Sequence, residues 1–210
     1  MSTERDLSPK QQRSQQTQHK LLVALHSCLA DKFFEHISIK DIATKAGVSV
    51  GTFYRRFKNK ESLLPLLYQD FGRNLVLWID DVETNEYIDL RDAITQLTAA
   101  TYQLILNKKS VFRTLHLNSR LHSNLLSSDK SVNREVVYQR LSTVLLRFEK
   151  EIIASDKKTA CDMVIYMMIN TLLDKALYPN LTPATASQLT AAEFSSELPQ
   201  VLLAYLTKNS

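Results

Sequence analysis

Apolar positions recur at steps of three and four from about residue 17 to the end of the chain, which predicts helices almost throughout. Leu22, Leu25, Leu29 and Phe33 share one face of a first helix expected from about Thr17 to Phe34. Ile39, Ile42, Ala43 and Ala46 make the apolar face of a short second helix. Gly47 follows at the position where a left-handed backbone costs glycine nothing. Val48 plugs the turn, and Ser49 is an N-cap for a third helix carrying Phe53 and Phe57 on one side. Asn59 caps a fourth, which passes Leu63, Leu64, Leu66 and Leu67 and is expected to continue through Phe71 and Trp78 toward Asp81. Pro65 falls in its first turns, where few backbone N–H groups have helical partners.

An acidic, turn-prone stretch at 80–89 precedes five further helical patterns. Leu90, Ile94, Leu97, Thr101 and Leu104 mark one, and Val111 to His122 a shorter one. After a serine-rich loop at 127–131, Val137, Leu141, Val144, Leu145, Phe148 and Ile152 mark a long amphipathic helix. Thr159 to Tyr178 is apolar almost all round, and Phe194, Leu198, Val201 and Tyr205 mark the last helix. Nothing repeats at a fixed period. The expected fold class is all-α, with a polar, glutamine-rich disordered arm over 1–16, a small helical domain over 17–62 and a larger one over 63–210. In the arm, Lys10 and Arg13 suit DNA phosphates or a minor groove, or else an idle solvated tail.

Composition supports this division. A chain of 210 residues with three glycines and five prolines has few turns and enough length to bury a core. Residues 1–72 hold 11 Lys or Arg against 7 Asp or Glu, whereas residues 73–210 hold 15 of each. The whole net charge of +4 therefore sits in the third that carries the second and third helices, as a nucleic-acid module beside a neutral one requires. Cys28 and Cys161 lie far apart within apolar patterns and read as reduced core residues. The first twenty residues are too polar for a signal peptide, and Met163 to Leu173 is too short to span a bilayer, so a soluble cytoplasmic protein is expected.

Catalytic chemistry finds no support. His19, His26, His36, His116 and His122 show no metal-ligand spacing, no glycine-rich phosphate loop or nucleophile elbow occurs, and Asp80-Asp81 reads as solvated. No enzyme activity, metal or cofactor is expected. Residues 38–60 instead follow the grammar of a helix-turn-helix, with Val50, Gly51, Thr52, Tyr54, Arg55 and Arg56 facing outward and Lys58 and Lys60 just beyond. Small residues at the helix start permit close approach, and the donors behind them suit phosphates and base edges. The alternative is a structural helix pair whose charges form a solvated face.

The segment from about Lys20 to Leu67 resembles the DNA-binding domain of the tetracycline-repressor (TetR) family of bacterial transcriptional regulators. The likeness rests on Ile42-Ala43, Ala46-Gly47-Val48-Ser49, Gly51-Thr52-Phe53-Tyr54-Arg55-Arg56-Phe57 and Lys60-Glu61-Ser62-Leu63. Two departures stand out: Phe34-Glu35-His36 where the family often has a glycine, and Arg56 where it often has histidine. The resemblance implies about nine helices, three in the DNA-binding domain and the rest in a ligand-binding and dimerisation domain. It implies that Lys40 touches phosphate or a base edge, and that Ser49 and Thr52 hydrogen-bond phosphates. Val50 and Gly51 would lie at the groove-facing helix start, and Tyr54 and Lys60 would clamp phosphate. Arg55 and Arg56 would each take phosphate, or one would read a guanine. Phe53 and Phe57 are core.

For the larger domain, Trp78, Tyr102, Phe112, His116, Tyr138, Phe148, Tyr166 and Asn170 are candidates to line a pocket for an apolar or amphipathic effector, or else simply fill a helical core. Met163, Met167, Leu198, Leu202 and Tyr205 are candidates for a homodimer interface, since a helix apolar all round must be buried all round, unless 159–178 is the central helix of a monomeric bundle. The expectation is a ligand-responsive homodimeric regulator, a repressor released from a palindromic operator in double-stranded DNA, with no membrane partner. The alternatives are a regulator of the same fold without a small-molecule effector, and a helical enzyme or binding protein whose helix-turn-helix is structural.

Overall fold

The computed structural model of the chain describes residues 9–121 and 134–208. Among these residues there are nine α-helices of five residues or more and no strand. They are α1 (Pro9–Asp31), α2 (Ile39–Ala46), α3 (Val50–Tyr54), α4 (Leu64–Thr84), α5 (Leu90–Asn107), α6 (Lys109–Leu121), α7 (Arg134–Leu146), α8 (Lys157–Leu177) and α9 (Ala191–Thr207). Two 3-10 turns, Phe34–His36 and Lys60–Leu63, and one helical turn at Thr182–Thr185 complete the set. The serine-rich loop at 127–131 and residues 1–8 of the expected arm lie outside the described residues.

Two compact units emerge, residues 1–70 with 113–129, and residues 71–112 with 130–210. The expected boundary at residue 62 is therefore displaced. It falls inside α4, after Asp70, and the C-terminal part of α6 returns to the first unit. Nothing in the periodicity marks this, because an amphipathic helix reads alike on both sides of a domain boundary.

In the first unit α1 packs on α2 and α2 on α3. The buried face of α1 is Leu21, Ala24, Leu25, Cys28 and Leu29, one position away from the expected Leu22, and Phe33 lies beyond the helix with its ring exposed. The helix also starts at Pro9, so residues 9–16 are helical where a disordered arm is expected. A salt bridge of 3.0 Å between His26 and Asp70 joins α1 to α4, and Lys45 on α2 reaches the carbonyl and hydroxyl of Ser27 and the Asp31 carboxylate.

The second unit is a leucine-rich bundle in which α5 packs with α7, α8 and α9. Its helix starts are fixed by side chains: Asp89 caps α5, Asp156 caps α8, and Thr190 with Glu193 forms a capping box on α9. Arg140 on α7 pairs with Asp80 at 2.6 Å and with Glu83 on α4, and this hydrogen bonding holds the Glu83 carboxyl below its usual pKa. The helix expected to run on to Ile152 ends at Leu146, and hydrogen-bonded turns carry the chain to Ile152, which is still buried. Burial, not helix continuity, is what its periodicity records.

Candidate nucleic-acid interface

The interface is built from caps inward. Ser38 Oγ accepts from the Asp41 N–H at 3.1 Å while the Asp41 carboxylate accepts from the Ser38 N–H at 2.9 Å, a capping box that starts α2. The Ser38 N–H and then its hydroxyl, with Lys32 nearby, hold the Asp41 carboxyl below the usual aspartate pKa. At the other end Gly47 sits at φ 67°, ψ 34°, the only positive φ among the described residues. Its N–H donates to the Thr44 carbonyl at 3.1 Å, and Val48 N–H to the Ala43 carbonyl at 3.0 Å. This is a Schellman stop, and it turns the chain directly into the Ser49 cap of α3.

α3 is short, but the hydrogen-bonded turn after it keeps helical spacing as far as Phe57, whose N–H donates to the Phe53 carbonyl at 3.0 Å. Phe53 is fully buried, with the Tyr54 ring edge-on at 5.8 Å and Phe57 tilted against it at 5.5 Å. That anchor leaves Val50, Gly51, Tyr54, Arg55 and Arg56 exposed, with Tyr54 at 57%. Lys40 and Lys58 are exposed as well.

A short polar chain runs along α3. Ser49 Oγ accepts from the Thr52 N–H at 3.1 Å and lies 2.9 Å from Thr52 Oγ1, which accepts from the Arg55 guanidinium at 2.8 Å. If the Thr52 hydroxyl donates to Ser49, the Ser49 proton is left to point outward as a donor. Arg56 is directed elsewhere: its guanidinium donates to Ser14 Oγ on α1. The two neighbouring arginines therefore occupy different surroundings, a distinction that their adjacency in sequence conceals.

Lys60 is placed differently from the outward phosphate clamp expected of it. Its ammonium donates to the carbonyls of Phe34, Glu35 and Ile37 at 2.9, 3.1 and 3.1 Å and lies over the Phe34 ring. An ammonium has three donors, and all three are used on the turn between α1 and α2. From α6, Arg113 stacks its guanidinium 3.8 Å from the centre of the Phe33 ring and pairs with Glu35 at 3.0 Å. Two cations from distant parts of the chain thus hold one connection. Neither Lys45 nor Arg113 has a sequence signal for these roles, since each is one basic residue on a helix until the partner is brought to it.

The candidates in the second unit divide. Tyr102 is buried, and Trp78, Phe112, Tyr138 and Phe148 pack partly buried against the same core. Tyr166 is 55% exposed, and the partly buried Asn170 donates its amide to the Tyr166 carbonyl. His116 belongs to the first unit. Of the expected dimer residues Met163 and Tyr205 are exposed and Met167 is partly buried. Leu198 and Leu202 are instead buried in their own core, while Val201 and Tyr205 stay exposed at the edge of the same apolar face of α9. Among the described residues no group of three metal-ligating side chains occurs, and no helix is long and apolar enough to cross a membrane.

An all-helical chain that opens with a capped, glycine-turned helix pair is a helix-turn-helix protein. Residues 21–67 match the sequence profile of bacterial regulatory proteins of the tetR family. The match covers the helix pair and the parts of α1 and α4 that flank it. A 74-residue segment is 34% identical to YvkB, an uncharacterised HTH-type transcriptional regulator of Bacillus subtilis, and covers 35% of this chain and 39% of that protein. The chain thus spans well under half of the curated relative it matches. Over nearly the full length the likeness is one of fold. The MbdR regulator of Azoarcus sp. CIB superposes with a TM-score of 0.58 at 20% identity, covering 90% of this chain and 98% of that one. GusR of Salmonella enterica gives 0.57 at 18% identity, covering 91% and 96%.

Proposed function

We propose that the chain is a homodimeric, DNA-binding transcriptional regulator that acts as a repressor and is released from a palindromic operator by a small apolar or amphipathic effector. The observation that carries this reading is α3 itself: Val50, Gly51, Tyr54 and Arg55 stand exposed on a helix anchored by buried Phe53. Gly51 supports it independently. A Cβ built there meets only Ser49 Oγ, at 3.8 Å, so the fold does not require glycine, whereas a helix start pressed against a base edge does. Ser49 and Tyr54 take phosphate, Val50, Gly51 and the Thr52 methyl meet base edges, and Arg55 reads a base. Lys40 lies on the adjoining exposed surface.

Two recognition helices are needed for useful specificity, and successive major grooves lie about 34–36 Å apart. The exposed apolar positions Met163, Tyr166, Val201 and Tyr205 on α8 and α9 suit a second copy of the chain. Thr101 Oγ1 is buried in the second unit without a hydrogen-bond partner among the described residues, and would offer an effector one polar handle.

The test is fluorescence anisotropy of the full chain on duplexes it selects from a random-sequence pool, at several salt concentrations. A selected inverted repeat, binding that falls steeply with salt, and weaker binding by Tyr54→Phe are expected. Binding without sequence preference, or none, would sink the reading. Sedimentation of Val201→Glu, expected to shift the chain toward monomer, tests the dimer. A panel of apolar compounds that leaves both operator binding and thermal midpoint unchanged would remove the effector.

A further inference from the structure

α1 is longer at its N-terminal end than its packing requires. Along its inner line Leu21, Ala24, Leu25, Cys28 and Leu29 are all buried. Continued toward the N-terminus, the same line turns polar, with Gln18, Thr17 and Ser14 only partly buried. Gln12, Arg13, Gln15, Gln16, His19 and Lys20 around them are exposed. Helix that is polar all round gains almost nothing from burial, so the packing of the first unit does not explain these turns. What their inner line meets is the end of the recognition segment, through the bond from Arg56 to Ser14. From Pro9 to Ala30 there is no Asp or Glu, so nothing along this length repels a polyanion.

We propose that residues 11–20 of α1 form a second DNA-contact surface, lying on the phosphate backbone outside the major groove that α3 enters, with Arg56 as the pin that sets its position. The proposal rests on the reading of α3 as a recognition helix. Duplex backbone is the occupant because the surface is continuous with that helix through Arg56 and because its cations and amide donors match phosphate oxygens. Arg56 is thereby a positioning residue, and base reading falls to Arg55.

The experiment compares a selected duplex trimmed to the inverted repeat with the same duplex extended by about ten base pairs, one helical turn, on each side. The full chain is measured as wild type, as R13A/K20A and as S14A. Alanine favours helix, so α1 is retained. On the extended duplex the slope of log K against log salt should fall by about 0.9 for each lost phosphate contact, about 1.8 per protomer for R13A/K20A. On the trimmed duplex the difference should vanish, and S14A should lose part of the same increment. Parallel slopes on the extended duplex, equal losses on both, or an R13A/K20A change in sedimentation that marks a protein contact would overturn the proposal. A chain for which Tyr54→Phe weakens binding while R13A/K20A does not would overturn this inference alone. Absence of any salt-dependent binding by wild type would remove the recognition-helix reading along with it.

Discussion

The two units of this chain are held by different means. In the first, polar side chains grip backbone: Ser38 and Asp41 start α2, Ser49 starts α3, and Lys60 closes the turn at 34–37. In the second, a leucine-rich interior carries the packing, and the charged pairs, such as Arg140 with Asp80 and Glu83, are only partly buried. A short recognition helix needs its backbone placed to a fraction of an ångström, and hydrogen bonds are directional. An apolar bundle needs only volume filled, so it tolerates many sequences. This contrast explains why the likeness to the family profile is confined to residues 21–67 while the fold likeness covers 90% of the chain.

The largest effect should come from the apolar packing that the first unit also has beneath α3. Phe53→Ala removes a fully buried ring from a cluster of three and should cost about 3–5 kcal/mol, read as a shift in denaturant midpoint. A midpoint near that of wild type would mean that α3 is not anchored by this ring.

Lys60→Met and Arg113→Ala test whether cations grip the α1–α2 turn. Lys60→Met frees three carbonyls and should cost about 1–3 kcal/mol. DNA affinity should then fall with no change in salt slope, because no phosphate contact is lost. A slope lower by about 0.9 would restore Lys60 as a phosphate ligand. Arg113→Ala should behave alike but more mildly, since its pair with Glu35 is half exposed.

The two glycines of the motif should respond oppositely. Gly47→Ala meets no atom within 4 Å, so its cost is the left-handed backbone alone, about 1–2 kcal/mol. Gly51→Ala sits in a helix with room for a methyl group and should raise stability by about 0.5–1 kcal/mol while weakening operator binding. Thermal melts and anisotropy on the same pair of variants decide this, and equal signs in both assays would remove the distinction.

The smallest effect concerns pH. The Asp41 pKa is lowered in the folded chain, so its contribution is present above the unfolded aspartate value, about 3.9, and is lost as pH falls through the folded one. Melts of wild type and Asp41→Asn should differ at neutral pH and converge at the acid end. A gap that widens on acidification would contradict the capping role.

Much of this was legible in advance. Helix order, the glycine turn, the Ser49 cap and the outward set on α3 follow from local rules that act over three or four residues. The start of α1 was not legible, because residues 9–16 lack the apolar periodicity that signals a helix. Nor were the buried sides of Leu198 and Leu202, since a wide apolar helix face does not say how much of it its own core covers. The sequence by itself determined an all-helical chain with a helix-turn-helix near its start, because capping, turn geometry and periodicity are local. Only the tertiary structure decided that Lys60 grips carbonyls, that Arg113 and Ser14 reach the same unit, and that Arg55 and Arg56 part company. Those depend on which residues meet across 23 to 78 positions of chain, and no local pattern encodes that.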